Sequence, residues 1–507
     1  MPQAASAVAT AELPTSRPWR WTFLCAPVVA ATLVIFATRH DPLLSPDSIT
    51  YLSAADHIHG LHGITDFTLE PLTVFGPVYP LLLAPGGRSL LWARIVGGAS
   101  IAAATTLIWV LMRRRVSPWT AIAAALALGL SQGLVRMASV VWSESPYAAI
   151  SLAALVVLTR RSMSTRIAAT GGLIAGAGFL TRYAGAGLVI TGLVIVAASG
   201  WSAPRPILLR RCAVYLAGAM GIIAIWVVRN VIEAGQPLGP RFEGGTNERV
   251  TETIRQALVG TGHIVIGDGW SSTGRARLGA GVLIAIAVLS ALAIRGRRAI
   301  PLDVGMTVYA AMSFLIPIAA RRVTANDIDL RVMSPMLIPI VYFAAVTVDR
   351  FTRRPVMAIA CGALLVWWCY QGVAFANRFP DLAPGGSGYK TQFSPQLYEV
   401  IDALPDDAII LTNNPQRVWW FTRREPTLMG FTRPRPGNSH YPLDAAGTLE
   451  QACSGHAYLA WFDGLQNAGD GPVERRPDLV EIVDLEPRQT VPGGQLYLLS
   501  PVDPSAC

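Results

Sequence analysis

Apolar runs of about the length needed to cross a ~30 Å hydrocarbon core recur between residues 21 and 376 of this chain and then stop. Eleven can be counted, near 21–38, 95–112, 118–135, 145–159, 167–181, 184–199, 213–228, 278–294, 300–320, 333–348 and 355–376. The chain has 507 residues, 52% of them hydrophobic and 14% charged, where a soluble globule carries about a quarter charged. A soluble single-core fold is therefore excluded. The expected class is an α-helical polytopic membrane protein of about eleven transmembrane helices, with a small C-terminal α/β domain.

Charge divides along the same line. Residues 376–507 hold sixteen Asp/Glu against ten Lys/Arg, a net of −6, so the remainder carries +15 of the overall +9. Short basic clusters fall at alternate ends of the apolar runs: Arg17/Arg20, Arg113–Arg115, Arg160/Arg161/Arg166, Arg205/Arg210/Arg211, Arg295/Arg297/Arg298 and Arg350/Arg353/Arg354. By the positive-inside rule these ends face the cytoplasm. Residues 1–20 then form a cytoplasmic tail, 21–376 the membrane domain with long outer loops at 39–94 and 229–277, and 377–507 an extracytoplasmic domain. The first apolar run lacks a small-x-small cleavage site before Asp41 and reads as an uncleaved anchor. Forty of the forty-one basic residues are arginine, a composition that suggests a GC-rich bacterial genome and hence a bacterial cytoplasmic membrane.

Cysteine use agrees with that sidedness. Cys25, Cys361 and Cys369 lie in apolar runs and Cys212 borders one, which leaves Cys453 and Cys507 in the tail. An oxidising compartment favours a Cys453–Cys507 disulfide over two free thiols. Within the tail, Pro395–Leu404 patterns as an amphipathic helix, and Ala408–Thr412, Tyr458–Phe462 and Gln495–Leu499 as strands.

The first outer loop carries the most pointed local signal. Ser45-Pro46-Asp47-Ser48 is a helix start, with Ser45 at the N-cap and Pro46 in the first turn. Asp47, Tyr51 and Ala54 then share one helix face. Residues 75–85 are apolar but too short and proline-rich to span, and read as a segment lying in the interface. Asp47 in a first turn stabilises the helix dipole; beside a bilayer the same carboxylate is also a candidate general base, with Asp41 its rival.

Other charges map to the same border. Ser143-Glu144-Ser145 sets a second carboxylate there, Arg182-Tyr183 separates two apolar runs, Arg229-Asn230 closes the seventh run, Arg321-Arg322 closes the ninth, and Arg331 opens the tenth. A charge at membrane depth costs on the order of 3 kcal/mol, so each faces a polar cavity, snorkels or pairs with an acid. Several arginines converging with two acids on one face also suit phosphate, which the planar guanidinium fork binds through paired hydrogen bonds. His57, His59 and His62 make a poor metal site, because His57 and His59 point apart on a helix and no cysteine accompanies them. The sequence requires no cofactor; an oxygen-rich Mg²⁺ or Mn²⁺ site on Asp41, Asp47 or Glu144 is compatible with it. There is no Walker A sequence, dinucleotide fingerprint or nucleophile elbow, and no nucleic-acid partner is expected.

Ser45-Pro-Asp47-Ser-Ile-Thr-Tyr51, followed by Pro77-Val-Tyr79-Pro80, resembles the first outer loop of bacterial GT-C glycosyltransferases, of the protein O-mannosyltransferase and lipid A aminoarabinose transferase type. Ser143-Glu144, Phe179-Leu-Thr-Arg182-Tyr183, Arg229-Asn230 and Arg331-x-x-x-Pro335 are similar to that superfamily's pattern in order and sidedness, over residues 20–350. The resemblance implies a membrane enzyme that takes a sugar from a polyprenyl-phosphate donor and passes it to an envelope glycan, lipid or protein acceptor outside the bilayer. It implies Asp47 as the catalytic acid-base group with Asp41 nearby, Arg331, Arg229, Arg322 and Arg182 as donor-phosphate ligands, and Tyr51, Glu144, Tyr183 and Tyr79 as sugar or acceptor contacts. Mannose and arabinofuranose are the guessed sugars. The competing readings are a flippase for a lipid-linked sugar, against which the absence of a 20–50-residue repeat argues, and a non-catalytic envelope assembly protein.

Overall fold

The eleven apolar runs are largely helical, the run near 118–135 being divided between two helices. The computed structural model describes residues 19–160, 162–201, 203–239, 249–295, 300–321, 328–351, 355–382, 394–428, 445–462 and 480–507. Its helices are α1 (Trp19–Ala37), α2 (Pro46–His59), α3 (Val78–Leu83), α4 (Leu90–Met112), α5 (Pro118–Gly129), α6 (Gln132–Ser139), α7 (Glu144–Leu158), α8 (Thr165–Thr181), α9 (Ala186–Ser199) and α10 (Arg205–Ala234). They continue as α11 (Val250–Ile266), α12 (Ser272–Arg295), α13 (Pro301–Ala320), α14 (Leu330–Met333), α15 (Leu337–Phe351), α16 (Pro355–Leu382), α17 (Pro395–Asp402), α18 (Pro415–Thr422) and α19 (Ala445–Ala452).

The protein is a multi-pass membrane protein. Among the described residues six helical stretches are long and apolar enough to cross a bilayer, or seven when α5 and α6, bent by 47° at their junction, count as one. Leu24–Ala37, Glu144–Leu158 and Tyr183–Ser199 are apolar but shorter. Six or seven crossings thus follow from length and composition alone, and a count of eleven needs the shorter helices as well. The membrane domain shares one large core in which small residues allow close approach: Ala30, Ala104, Ala121, Ala154, Ala168 and Ala175 are almost fully buried.

At one end of this helix layer Arg115, just beyond α4, pairs with buried Asp303 in the first turn of α13 at 2.9 Å. The loop of residues 39–94 enters α4 at its other end. Within that loop α2 begins as the sequence dictates. The Ser45 hydroxyl accepts from the Ser48 amide at 3.3 Å, and the Ser48 hydroxyl accepts in return from the Ser45 amide at 2.9 Å. The apolar stretch after it forms α3, with Leu81 and Leu82 exposed. Gly76 passes so close to the Leu180 carbonyl at the end of α8 that a Cβ would overlap it, which pins this loop onto the helix layer.

The tail is a small α/β unit, as its alternating pattern predicts. Its strands are β1 (Ile409–Thr412), β2 (Thr427–Leu428), β3 (Ala457–Phe462), β4 (Val483–Val491) and β5 (Gly494–Pro501), in the order β2-β1-β3-β5-β4. β1 pairs in parallel with β2 and β3, and β5 pairs antiparallel with β3 and β4. Leu459, Trp461 and Tyr497 fill one face of the sheet, and Ala460, Phe462 and Leu496, covered by Leu397 and Ile401 of α17, fill the other. Cys453 and Cys507 form a disulfide across a separation of 54 residues, closing α19 onto the C-terminus.

Several elements lie outside the sequence pattern, among them α11, α18, α19, β2 and β4. Helix α11 falls within the expected outer loop 229–277 and packs on α12 and α14; its interspersed Glu252, Arg255 and Gln256 make it too polar to read as a span. Strand β4 was missed because most of it is exposed from Glu486 to Thr490, so it lacks the alternation of a half-buried strand.

Candidate active site

Two backbone contacts bring the acidic motifs together. The Leu43 amide donates to the Ser139 carbonyl and the Val141 amide to the Leu43 carbonyl, both at 3.1 Å, making a short parallel bridge between the connector before α2 and the segment before α7. Asp47 in the first turn of α2 and Glu144 in the first turn of α7 are thereby set side by side, each where the helix dipole favours a negative group. The Trp142 indole reinforces the seam by donating to the Ser45 hydroxyl at 2.7 Å.

Arg331 completes the constellation from a third direction. It sits in α14, a single turn capped by Asp329, whose carboxylate accepts from the Val332 amide at 3.0 Å. Pro335 lies in the tight turn that follows, ahead of α15. The guanidinium pairs with Asp47 through Nη2 and with Glu144 through Nε, and lies over the Trp142 ring at 4.8 Å. Arg182, at the end of α8, reaches the same Glu144 oxygen at 2.9 Å. Glu144 therefore anchors two arginines from a side chain that is 1% exposed, whereas Asp47 and Arg331, at 14% and 22%, form the accessible rim. The other Glu144 oxygen has no hydrogen-bond partner among the described residues, and Glu144 lines a small cavity with Leu134, Ile264 and Leu330.

Tyr51 and Tyr79 back the rim. The Tyr51 hydroxyl lies 3.3 Å from the Ser143 hydroxyl, and its ring meets Tyr79 edge-on and Phe75 at a tilt, both with centroids 4.9 Å apart. Burial, followed by the Asp47 carboxylate, pushes the Tyr51 phenol well above the ordinary tyrosine range. Burial likewise raises Tyr79. Both are held as neutral hydroxyls.

Other expected residues make contacts of their own. Arg229 lies over Trp226 and donates to the Leu72 carbonyl at 2.9 Å and the Ile64 carbonyl at 3.0 Å. The Tyr183 hydroxyl donates to the Thr73 carbonyl at 2.7 Å and accepts from Trp226 at 3.0 Å. These two residues clamp the loop of residues 39–94 to α10 and are not among the groups paired with Arg331. Asp41 sits just past the end of α1 with a left-handed φ of 90°, its amide donating to the Thr38 carbonyl at 2.9 Å. Arg322 lies outside the described residues. His57 meets the Thr65 hydroxyl at 2.9 Å and His59 the Ala84 carbonyl at 3.0 Å.

The Arg331 guanidinium fills the position between Asp47 and Glu144. Among the described residues no group of three or more His, Cys, Asp or Glu side chains is placed to hold a metal ion.

Sequence reasoning missed Trp142 and the contribution of the tail. Trp419 of α18 is buried in the same cluster as Ile49, Tyr51 and Tyr79. Arg88, beyond α3, lies 4.7 Å from the Trp419 ring and 5.5 Å from that of Trp420, and donates to the Trp420 carbonyl at 3.2 Å. The tail is thus seated on α2. Trp142 carried a readable signal, an amphipathic aromatic next to an acid at a membrane border; Trp419 carried none.

The fold as a whole has counterparts among solved structures. The structure is similar to ArnT from Cupriavidus metallidurans bound to undecaprenyl phosphate, with a TM-score of 0.57 and 13% identity over 94% of this chain and 97% of that one. The GT-C fold is shared. The same GT-C likeness extends to the archaeal oligosaccharyltransferase AglB from Archaeoglobus fulgidus in complex with an inhibitory peptide and a dolichol-phosphate, with a TM-score of 0.54 and 10% identity over 88% of this chain and 70% of that one. It extends also to the arabinofuranosyltransferase AftD from Mycobacteria, with a TM-score of 0.55 and 13% identity over 96% of this chain but 42% of AftD. No protein-family model matches the sequence, and no curated protein matches it.

Proposed function

We propose that the protein is an inverting GT-C glycosyltransferase that moves a sugar, mannose or arabinofuranose, from a polyprenyl-phosphate donor to an acceptor hydroxyl of an envelope glycan, lipid or protein on the outer face of the cytoplasmic membrane. One observation carries the reading. Arg331 bridges a partly exposed carboxylate, Asp47, and a buried one, Glu144, at a site built from helix ends. The lipid ligands named for ArnT and AglB support a lipid-phosphate donor.

In the proposed reaction the donor phosphate takes the place of Asp47 on the outer edge of the Arg331 fork, while Glu144 and Trp142 keep the guanidinium in position. Asp47, released from its ion pair, accepts the proton of the acceptor hydroxyl. That oxygen forms a bond to the anomeric carbon as the bond from that carbon to the phosphate oxygen breaks, and the polyprenyl phosphate leaves with the electron pair. Configuration inverts. Arg331 stabilises the charge that grows on the leaving phosphate, a contribution typically worth about 3–4 kcal/mol for a single well-placed donor. Arg182 shares Glu144 with Arg331 and fixes its orientation.

Asp47→Asn keeps the size of the side chain and removes the base. With a lipid-linked donor the purified variant is expected to retain its thermal unfolding profile and lose transfer. Transfer at the wild-type rate, or movement of the carrier across a bilayer with no new glycosidic bond, would overturn the assignment.

A further inference from the structure

A second cavity lies in the tail, apart from the Arg331 site. Its volume is ≈ 590 Å³, within the range of small-molecule sites. Leu404, at the end of α17, and Leu496 of β5 give it an apolar floor. Tyr458 of β3, half-buried on the sheet face that α17 covers, contributes an aromatic surface. Glu399, Arg488 and Gln489 supply the polar lining.

The strand geometry at this cavity is irregular where the lining is polar. In the β4–β5 ladder Pro487 pairs with Tyr497 and Gln489 with Leu496, so Arg488 is an extra residue in β4. A bulge of this kind bends its strand and re-aims the side chains beside it. Here it brings Arg488 and Gln489 to the cavity, with Arg488 held by Glu486 at 3.0 Å.

The lining selects a class of ligand. Arg488 is already offset by Glu486 and Glu399 adds a further carboxylate, which disfavours a phosphate or a polyanion. A carboxylate, a guanidinium and an amide together offer both acceptors and donors, and a tyrosine ring beside an apolar floor offers a surface for C–H groups. A neutral, polyhydroxylated chain satisfies all of these. α17 packs on α18, and α18 packs on α2, so the cavity is carried on the unit that is docked beside Asp47. We infer that the tail groove binds an oligosaccharide, the part of a glycan acceptor remote from the reacting hydroxyl. This rests on the transferase reading for its role in acceptor choice, but not for binding itself.

The test separates the two. Full-length protein in detergent micelles, with no donor present, is titrated with mannohexaose and with arabinohexaose and followed by ligand-observed NMR. One of the two is expected to bind wild type, and both Tyr458→Ala and the exposed-site variant Arg488→Ala are expected to weaken that binding by about tenfold, equivalent to ~1.4 kcal/mol. In transfer assays the ratio of KM for a hexaosyl acceptor to KM for a monosaccharide acceptor is expected to rise about tenfold in the same variants. Binding of neither hexaose, or unaltered binding in Arg488→Ala, overturns the inference. Binding that persists in a protein with no transferase activity upholds the groove while removing the reading of the Asp47 site.

Discussion

At the scale of single residues, Glu144 organises the site by being the buried partner. Its carboxylate compensates two arginines, and removing one member of a buried ion pair typically costs about 3–5 kcal/mol because the remaining charge is stranded. Tyr51 has the opposite character, a neutral group kept neutral. Burial raises its phenol in the folded protein, whereas the unfolded value is about 10. Below that value both states hold the proton and the contribution to stability is full; as pH rises further the unfolded chain loses its proton first, and stability declines toward the folded value. Thermal unfolding followed across alkaline pH should therefore show a steeper decline for wild type than for Tyr51→Phe. Parallel slopes would contradict this environment for Tyr51.

At the scale of elements, the placement of Asp47 depends on how α2 is held. Ser45 and Ser48 cap it, Trp142 holds the cap, and α18 of the tail covers it through Trp419. Truncating a buried tryptophan costs about 3–5 kcal/mol of packing. Trp419→Ala is expected to lower kcat at saturating donor with little change in donor KM, and Trp419→Phe to restore most of the rate. If Trp419 only stabilises the fold, Trp419→Ala will lower the unfolding temperature and leave kcat unchanged. The start of α2 was legible because Ser45-Pro46-Asp47 encodes it locally, and charges stranded beside apolar runs marked Glu144, Arg182 and Arg331. Ion pairs with Asp327, Asp329 or Glu144 were readable as options for these arginines, but which arginine meets which acid was not. Arg331 and Arg229 have the same kind of sequence context, yet one meets two carboxylates and the other meets the carbonyls of Ile64 and Leu72. Tertiary geometry alone distinguishes them, and it also chose Trp419 as the partner of Arg88.

At the scale of the whole molecule, hydrophobic periodicity revealed the helix layer and the α/β tail, because both are encoded in burial patterns. The docking of tail on loop was hidden, since it rests on aromatic contacts between segments far apart in sequence. The Cys453–Cys507 disulfide closes a separation of 54 residues, for which the chain-entropy treatment gives a stabilisation of about 4 kcal/mol. Reduction, or Cys507→Ser, should lower the unfolding temperature of the tail and expose 445–462 and 480–507 to protease. No change on reduction would show that the tail draws its stability from docking and its sheet alone.

The central claim is that Asp47 and Arg331 exchange their ion pair for a lipid phosphate. A map of the full-length protein with bound polyprenyl phosphate tests this most directly. The account predicts phosphate density on the Arg331 guanidinium, with Glu144 still paired to Arg331 and Asp47 released toward the acceptor side. Phosphate bound away from Arg331, with the Asp47–Arg331 pair intact, would contradict it.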